Sequence, residues 1–333
     1  MNFRSSVMGA AALALLLGSA GVAARADDAI PTTPEAGTFK IAMEPWLGYG
    51  QWVIADSKGF FKEHGLQDVQ LVNFTQDKDL DAAFASGQVD GANVATHTAM
   101  ALAAAGMPLK IVMLLDFSLT ADAIISVDVK SIADIKGKQV AFEEGTTSDI
   151  LLNYALQKNG MTMADVTKVP MPASDAGTAL IAGKVPVAVT YEPYLTTAMH
   201  QNDKAKLIFT AGEDPGLISD VFVVRADVLE KRPGQVLALL KAWDESLAYY
   251  RANTADGQAI IAKAVGDTPE NLKTAFDGVR YYSLSENQQH LTTDFTTQTA
   301  VDVEAAAKKA GILTSDVDIA GLIDGRFLKA ATQ

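Results

Sequence analysis

The chain has 333 residues, of which 40 are Asp or Glu and 27 are Lys or Arg, so its formal net charge is -13 at pH 7. This acidic balance argues against nucleic acid and anionic lipid as partners. The chain contains no Cys, which excludes disulfides, a thiolate nucleophile and a Cys-based metal site. Its length predicts two domains of ordinary size.

The first 26 residues have the pattern of a secretory signal peptide. Arg4 supplies a short basic region, 7–22 is apolar and small, and Ala24-Arg25-Ala26 fits the small-x-small cleavage pattern. The alternative, a membrane anchor, would need roughly 20 apolar residues. No Cys near the cleavage site offers a lipid attachment point. We therefore expect a periplasmic protein, exported through a cleavable signal peptide and not lipid-anchored.

Short apolar strands alternate with helical segments from residue 39 onward. The first series has strands at 39–42, 69–74, 91–95 and 109–115, with helices at 52–61, 77–86 and 97–105. The second series has strands at 123–127, 139–142, 167–171, 185–189, 206–210 and 220–224. Its helices are at 148–159 and 174–182, and a short helical turn is at 131–135. This alternation predicts βαβ units and mainly parallel sheets.

The C-terminal part of the chain is predicted to be helical. Helices are expected at 235–252, 256–265, 269–277, 296–310 and 319–331, with a single interruption at 279–284.

Polar groups follow the predicted strands, at the positions where open α/β sheets present ligand-binding groups. Acids, aromatics and hydroxyls dominate among them, and none is Lys or Arg. The candidate ligand-binding residues are Glu44, Trp46, Tyr49, Thr96, His97, Asp116, Ser118, Glu143, Thr146, Thr147, Ser148, Tyr191, Glu192 and Asp220.

Two groups among these candidates indicate a charged ligand. The hydroxyls of 146–148 open a predicted helix, where free N–H groups suit a carboxylate, sulfonate or phosphate, or where Thr147 or Ser148 simply caps the helix. The acids would repel one another in a closing cleft unless a cation or a donor-rich ligand neutralised them. Solvated rim charges are the alternative for each acid. The aromatic rings could face a cation, worth roughly 0.5–2 kcal/mol apiece, although Trp46 could instead pack on the domain edge.

Catalytic and cofactor motifs are missing from the sequence. The four His residues have no metal-ligand spacing, and His97, the one at a predicted strand end, fits a helix-start contact better than a base. The chain has no nucleophile elbow, P-loop or dinucleotide fingerprint. We therefore expect no enzyme activity, no cofactor and no metal.

Several segments together resemble solute-binding proteins of the nitrate/sulfonate/taurine ABC transporters. They are 46–49, 57–66, 104–110, 115–118, 135–146 and 191–194, in order over nearly all of 39–300. The resemblance implies an α/β, two-lobed periplasmic binding protein fold of type II with a helical C-terminal tail. It implies hinge crossings near 118–123 and 219–224, lobe one at 39–119 plus 224–333, and lobe two at 120–223. A permease in the inner membrane would receive the solute, and a monomer suits that role.

The expected ligand is inferred from the acidic side chains among the candidate residues. Family members for oxyanions would be expected to place basic or hydroxyl groups in the cleft, whereas this chain keeps hydroxyls at 146–148 and has acids elsewhere. We expect Glu192 to face the ligand from lobe two, with Glu44 and Asp116 opposite. The favoured ligand is a small nitrogen compound: a cationic amine, a guanidinium or a zwitterion. An oxyanion such as nitrate, taurine or an alkanesulfonate is the alternative.

Two other functions stay open for this fold. It also resembles the fungal thiamine-pyrimidine synthase, an enzyme with a Cys-rich motif. The absence of Cys and the export signal argue against that function. A sensor or adhesion role without transport is compatible with the same residues.

Overall fold

The computed structural model describes residues 29–332, which form two β-sheets with helices packed against them. The predicted two-lobed α/β fold is confirmed at this level. The predicted signal peptide, 1–26, lies outside the described residues.

The first sheet has six strands in the order β11-β4-β10-β3-β1-β2. Their bounds are β1 Thr38–Met43, β2 Asp68–Asn73, β3 Gly91–Ala95, β4 Leu109–Ser118, β10 Ser219–Arg225 and β11 Val279–Tyr281. β1 is parallel to β2 and β3, whereas β10 is antiparallel to both β3 and β4. The sheet is therefore mixed and not mainly parallel, because the returning strand β10 inserts between β3 and β4.

The second sheet has five strands in the order β7-β6-β8-β5-β9. Their bounds are β5 Asp122–Ser126, β6 Gln139–Phe142, β7 Thr167–Pro170, β8 Val187–Tyr191 and β9 Lys206–Thr210. β6 is parallel to β7 and β8, and β5 is antiparallel to β8 and β9. In the second sheet β5 alone opposes the other strands, whereas in the first sheet both β10 and β11 do. β5 and β10 are the strands at which the chain arrives from the other sheet.

The helices fall into two groups. Those of the sheet-forming region are α1 Gly50–Lys58, α2 Phe60–Glu63, α3 Asp77–Ser86, α4 Thr96–Ala104, α5 Thr147–Lys158, α6 Ala173–Ile181 and α7 Tyr194–Gln201. Those of the C-terminal region are α8 Ala226–Lys231, α9 Pro233–Ala252, α10 Thr254–Ala264, α11 Leu284–His290, α12 Ala300–Lys309, α13 Ile319–Leu322 and α14 Arg326–Ala331.

An aromatic cluster fixes the C-terminal helices to the first sheet. The Trp52 ring of α1 lies 4.9 Å from that of Trp243 in α9 and 5.2 Å from that of Phe222 in β10, measured between centroids. All three side chains are fully buried. Burial of each contributes roughly 1.5–3 kcal/mol, so α9 belongs to the same packed unit as β10.

The chain crosses between the sheets at 119–121 and 211–218. The first position agrees with the prediction. The second does not, because Ser219–Arg225 forms β10 inside the first sheet along its whole length. A buried apolar run in 220–224 fits a central strand as well as a crossing, and the pattern alone does not distinguish them.

The C-terminal helices differ from the prediction in detail. The segment 269–277 forms turns that end in a 3-10 helix at Phe276–Gly278, and 319–331 contains two short helices. Gly278 O accepts hydrogen bonds from Leu119 N at 2.7 Å and Thr120 N at 3.3 Å, which ties this segment to the first crossing. Helices α8 and α11 were not predicted. Among residues 29–332, no helix combines the length and apolarity that a membrane span requires.

Candidate ligand-binding site

A cavity lies between the two sheets, at the edge where the strand ends of both converge. β1 and β3 of the first sheet lead into its wall, as do β6 and β8 of the second. The space available to water-sized spheres is about 50 Å³, several times the roughly 10–15 Å³ that one water molecule needs. The arrangement thus encloses room for a small solute.

Carboxyl groups dominate the polar part of the lining. The first-sheet side contributes Glu44, Asp77, Asp81 and Asp220, and the second-sheet side contributes Asp122 and Glu143. No Lys, Arg or His is among the residues that line this cavity in the described part of the chain. The other lining residues are Trp46, Tyr49, Leu80, Asn93, Val94, Ala95, Thr98, Thr146, Thr147, Ala173, Tyr191 and Ile218.

Burial raises the pKa values of these acids. Desolvation holds the pKa of Glu44 well above its usual range, and the neighbouring Asp77 raises it further. Burial also holds the pKa of Asp220 well above the ordinary value, with Asp116 adding to the effect. Ionised carboxyls that line one small cavity repel one another. The cavity therefore favours their protonated forms.

Two further acids have pKa values near neutrality. Burial raises the pKa of Asp81 to about 7, with Asp77 contributing. Burial likewise raises the pKa of Asp122 to about 7, although a hydrogen bond with Ser118 opposes the shift. Burial also raises the pKa of Glu143. The nearby cation Lys78, which does not line the cavity, lowers that pKa and so opposes the shift. The ionisation of these acids therefore depends on the charge of the ligand that binds in the cavity.

Trp46 joins the two sides of the cavity. Its Nε1 donates to Asp116 Oδ1 at 3.1 Å, and its ring meets that of Tyr191 edge-on at 5.9 Å between centroids. Gly48 makes this possible, because a Cβ there would lie 2.1 Å from Trp46 Nε1 and 2.2 Å from Asp116 Oδ2. The aromatic contact connects the segment after β1 with the end of β8, so it is made only while the two sheets are close.

The start of α5 supplies the hydroxyl groups predicted at 146–148. Thr146 is the N-cap: its Oγ1 accepts from Ser148 N at 3.3 Å and donates to Glu143 O at 3.1 Å. Thr146 and Thr147 line the cavity, whereas Ser148 is buried outside it. The cap is therefore Thr146 and not the expected Thr147 or Ser148, and Thr146 also lies in the cavity wall.

The structure brings eight of the fourteen predicted site residues into the cavity wall. They are Glu44, Trp46, Tyr49, Glu143, Thr146, Thr147, Tyr191 and Asp220. Their role in binding a ligand stays a prediction.

The other six lie outside the cavity lining, and they are Thr96, His97, Asp116, Ser118, Ser148 and Glu192. Thr96 Oγ1 donates to Ser219 O at 3.0 Å, and Ser118 Oγ accepts from Asp122 N at 2.8 Å. Asp116 Oδ1 accepts from Trp46 Nε1, as described above. Ser148 belongs to the first turn of α5, where its N–H donates to Thr146 Oγ1.

Glu192 corrects a specific expectation, that it faces the ligand. Its carboxylate accepts hydrogen bonds from Thr196 N at 3.0 Å and Thr196 Oγ1 at 2.9 Å, at the start of α7. Strand β8 runs to Tyr191, so the strand ends two residues later than predicted and Tyr191, not Glu192, reaches the cavity.

His97 is buried outside the cavity lining. Burial lowers its pKa to about 4, so the imidazole is neutral at pH 7. Its Nε2 lies 3.4 Å from Thr98 Oγ1 within the first turn of α4. This agrees with a helix-start contact and offers no base in the cavity.

Sequence reasoning missed five polar residues of the wall: Asp77, Asp81, Asn93, Thr98 and Asp122. Asp77 and Asp81 lie one turn apart on α3, a spacing that places both on the same helix face. Asn93 is a polar residue inside an otherwise apolar buried strand. Both patterns were readable, but neither follows a strand end, which was the criterion applied.

Two α/β sheets that enclose a polar cavity between their strand ends define the class of two-lobed binding-protein folds. The chain belongs to the NMT1/THI5-like family, whose sequence model matches residues 49–256.

Two relatives illustrate this assignment. A putative binding protein of Brucella abortus (strain 2308) is 28% identical over 223 residues, which is 66% of this chain and 69% of that protein. A putative aliphatic sulfonates-binding protein of Bacillus subtilis (strain 168) is 24% identical over 296 residues, 84% of each chain. Both are named as binding proteins.

Solved structures share the fold. The periplasmic aliphatic sulphonate binding protein SsuA of Escherichia coli has a TM-score of 0.73 at 19% identity, covering 90% of this chain and 100% of that one. The periplasmic nitrate-binding protein NrtA of Synechocystis PCC 6803 has a TM-score of 0.66 at 18% identity, covering 88% and 93%. The desulfurization enzyme DSZB has a TM-score of 0.65 at 15% identity, covering 89% and 99%. The fold therefore serves both binding proteins and an enzyme.

Proposed function

We propose that the protein is the periplasmic solute-binding component of an ABC importer, which presents a small solute to an inner-membrane permease. Three observations support this: the family, the two-lobed fold and the cavity between the sheets. Lobe one comprises 39–119 and the chain after the second crossing, and lobe two lies between the two crossings. Lobe two then ends within 211–218 instead of at the expected residue 223. The signal-peptide pattern of 1–26 supports a periplasmic location, and a monomer suits the role.

The ligand we propose is a small zwitterion with a protonated nitrogen at one end and an acidic group at the other. The observation that carries this proposal is the lining itself, which offers six carboxyls and no basic side chain. A protonated nitrogen would neutralise the acids, and Thr146 and Thr147 at the start of α5 offer hydroxyls to an anionic end.

The comparisons favour the alternative, an oxyanion such as nitrate, taurine or an alkanesulfonate. Relatives and structural neighbours are named for aliphatic sulfonates and nitrate. The raised pKa values make such a ligand chemically reasonable, since protonated carboxyls can donate hydrogen bonds to an oxyanion. A zwitterionic sulfonate such as taurine satisfies both lines of support, whereas nitrate or an alkanesulfonate satisfies only the second.

A matched thermal-shift series tests this proposal. Taurine, ethanesulfonate, ethylammonium, guanidinium and nitrate are each added to ligand-free protein at pH 7. We expect taurine to raise the melting temperature most, because binding to the native state alone stabilises it by mass action. A shift with ethanesulfonate or nitrate as large as with taurine would establish the oxyanion alternative. No shift with any compound would remove the support for a small-solute site of this class.

A further inference from the structure

One side chain in the cavity wall has a buried donor without a partner. Asn93, in the middle of β3, is 1% exposed, and its Nδ2 makes no hydrogen bond among the described residues. A buried unpaired amide N–H is costly, and such groups in native structures call for a ligand or water as partner.

The orientation of Asn93 is fixed by its neighbour. Trp52 Nε1 donates to Asn93 Oδ1 at 3.0 Å. An indole N–H can only donate, so the atom facing Trp52 must be the oxygen and the NH2 group must point the other way. Trp52 is itself fully buried in the aromatic cluster with Trp243 and Phe222. The donor is therefore held rigidly.

The same cavity wall also contains a buried hydrogen-bond acceptor without a partner. Asp81 Oδ1 is buried without a partner, on α3. This acceptor and the Asn93 donor both line the cavity, yet they do not bond to each other. A complementary ligand must bring a donor for Asp81 and an acceptor for Asn93.

We propose that Asn93 determines specificity by donating from Nδ2 to an oxygen acceptor of the ligand, so that the site selects nitrogen compounds carrying such an acceptor over pure cations. This inference rests on the proposed function and narrows it. Amino acids, aminosulfonates and amino amides fit. Guanidinium and alkylammonium ions do not, because they would leave the buried amide unpaired. Sites built to hydrogen-bond a ligand group discriminate strongly against analogues that lack it.

The test compares two cations of similar shape and equal charge. Glycinamide has an ammonium and a carbonyl acceptor, whereas isobutylammonium replaces the amide by two methyl groups. We expect the wild-type protein to bind glycinamide at least about tenfold more tightly. In Asn93→Leu, which removes the donor at similar side-chain volume, that preference should disappear. Asn202→Leu is the matched control: it makes the same change in the loop after α7, outside the cavity lining.

A second measurement uses the wild-type protein and does not depend on the stability of the variant. In 15N-resolved NMR, the side-chain NH2 signals of Asn93, assigned by their loss in Asn93→Asp or Asn93→Leu, should shift on saturation with taurine or glycinamide. Equal affinity for both cations, an unchanged preference in Asn93→Leu, or saturation by taurine without movement of these signals would each overturn the inference. Failure of taurine, glycinamide and isobutylammonium alike to bind the wild type would instead count against the proposed function, and the inference would fall with it.

Discussion

At the scale of single residues, the cavity is defined by carboxyls whose charge is suppressed by burial. Glu44, Glu143 and Asp220 could be predicted because they follow or begin strands. Asp77, Asp81 and Asp122 could not be placed in the same wall without knowing how α3 and β5 face the cavity. The sequence pattern locates a residue on an element, but the packing of that element decides where the side chain points.

Replacing Asp81 by Asn should stabilise the ligand-free protein in a pH-dependent way. A carboxyl whose pKa rises from 3.8 to about 7 on folding costs stability as pH rises, since the unfolded chain ionises first. The cost develops between about pH 4 and pH 7 and is complete above. We expect Asp81→Asn to raise the free energy of unfolding by about 1–3 kcal/mol at pH 8 and by much less near pH 4. Thermal melts across this range measure it.

Asp79→Asn is the matched control for this prediction. Asp79 lies on the same helix but is exposed, so its substitution should change stability little and equally at both pH values. A pH-independent effect of Asp81→Asn would show that the pKa of the Asp81 carboxyl is not raised in the native state.

At the scale of elements, the strands were predicted more accurately than the helices. Buried apolar runs bounded by turn residues located all ten major strands to within a few residues. The helices α8 and α11 were missed because each is at most about two turns long and too short for a clear periodicity. The segment 269–277 has a helical pattern, but Gly278 approaches the crossing so closely that a Cβ would lie 2.9 Å from Ala121 N, and turns fit there instead.

The contacts of Glu192 favour a structural role at α7. Its carboxylate accepts hydrogen bonds from Thr196 N and Thr196 Oγ1 in the first turn of that helix. We therefore expect Glu192→Gln to lower the free energy of unfolding by about 1 kcal/mol while changing ligand affinity by less than about twofold. Chemical denaturation and titration with the best ligand measure the two effects separately.

Glu230→Gln, an exposed change at the end of α8, is the control for this substitution. A large loss of affinity in Glu192→Gln with unchanged stability would restore the original interpretation, in which Glu192 contacts the ligand directly.

At the scale of the whole molecule, two sheets joined by two crossings close around an acidic space. The α/β fold could be predicted from the alternation of strands and helices, whereas the family and both crossings were implied by the resemblance of several segments to a known group of binding proteins. The second crossing was expected too late in the chain, because the apolar pattern of β10 is the same whether the strand bridges the sheets or lies within one. The Trp46–Tyr191 contact across the cavity also depends on tertiary packing, in particular on the room left by Gly48.

The central claim is that the ligand's protonated nitrogen is neutralised by cavity carboxyls that are largely protonated without it. Calorimetric titration of taurine at pH 7, in two buffers with different ionisation enthalpies, counts the protons exchanged on binding. We predict net proton release, because a nearby cation lowers the pKa values of carboxyls such as Asp81 and Asp122. Net proton uptake would contradict the account, since it would mean that the site binds an anion through protonated acids.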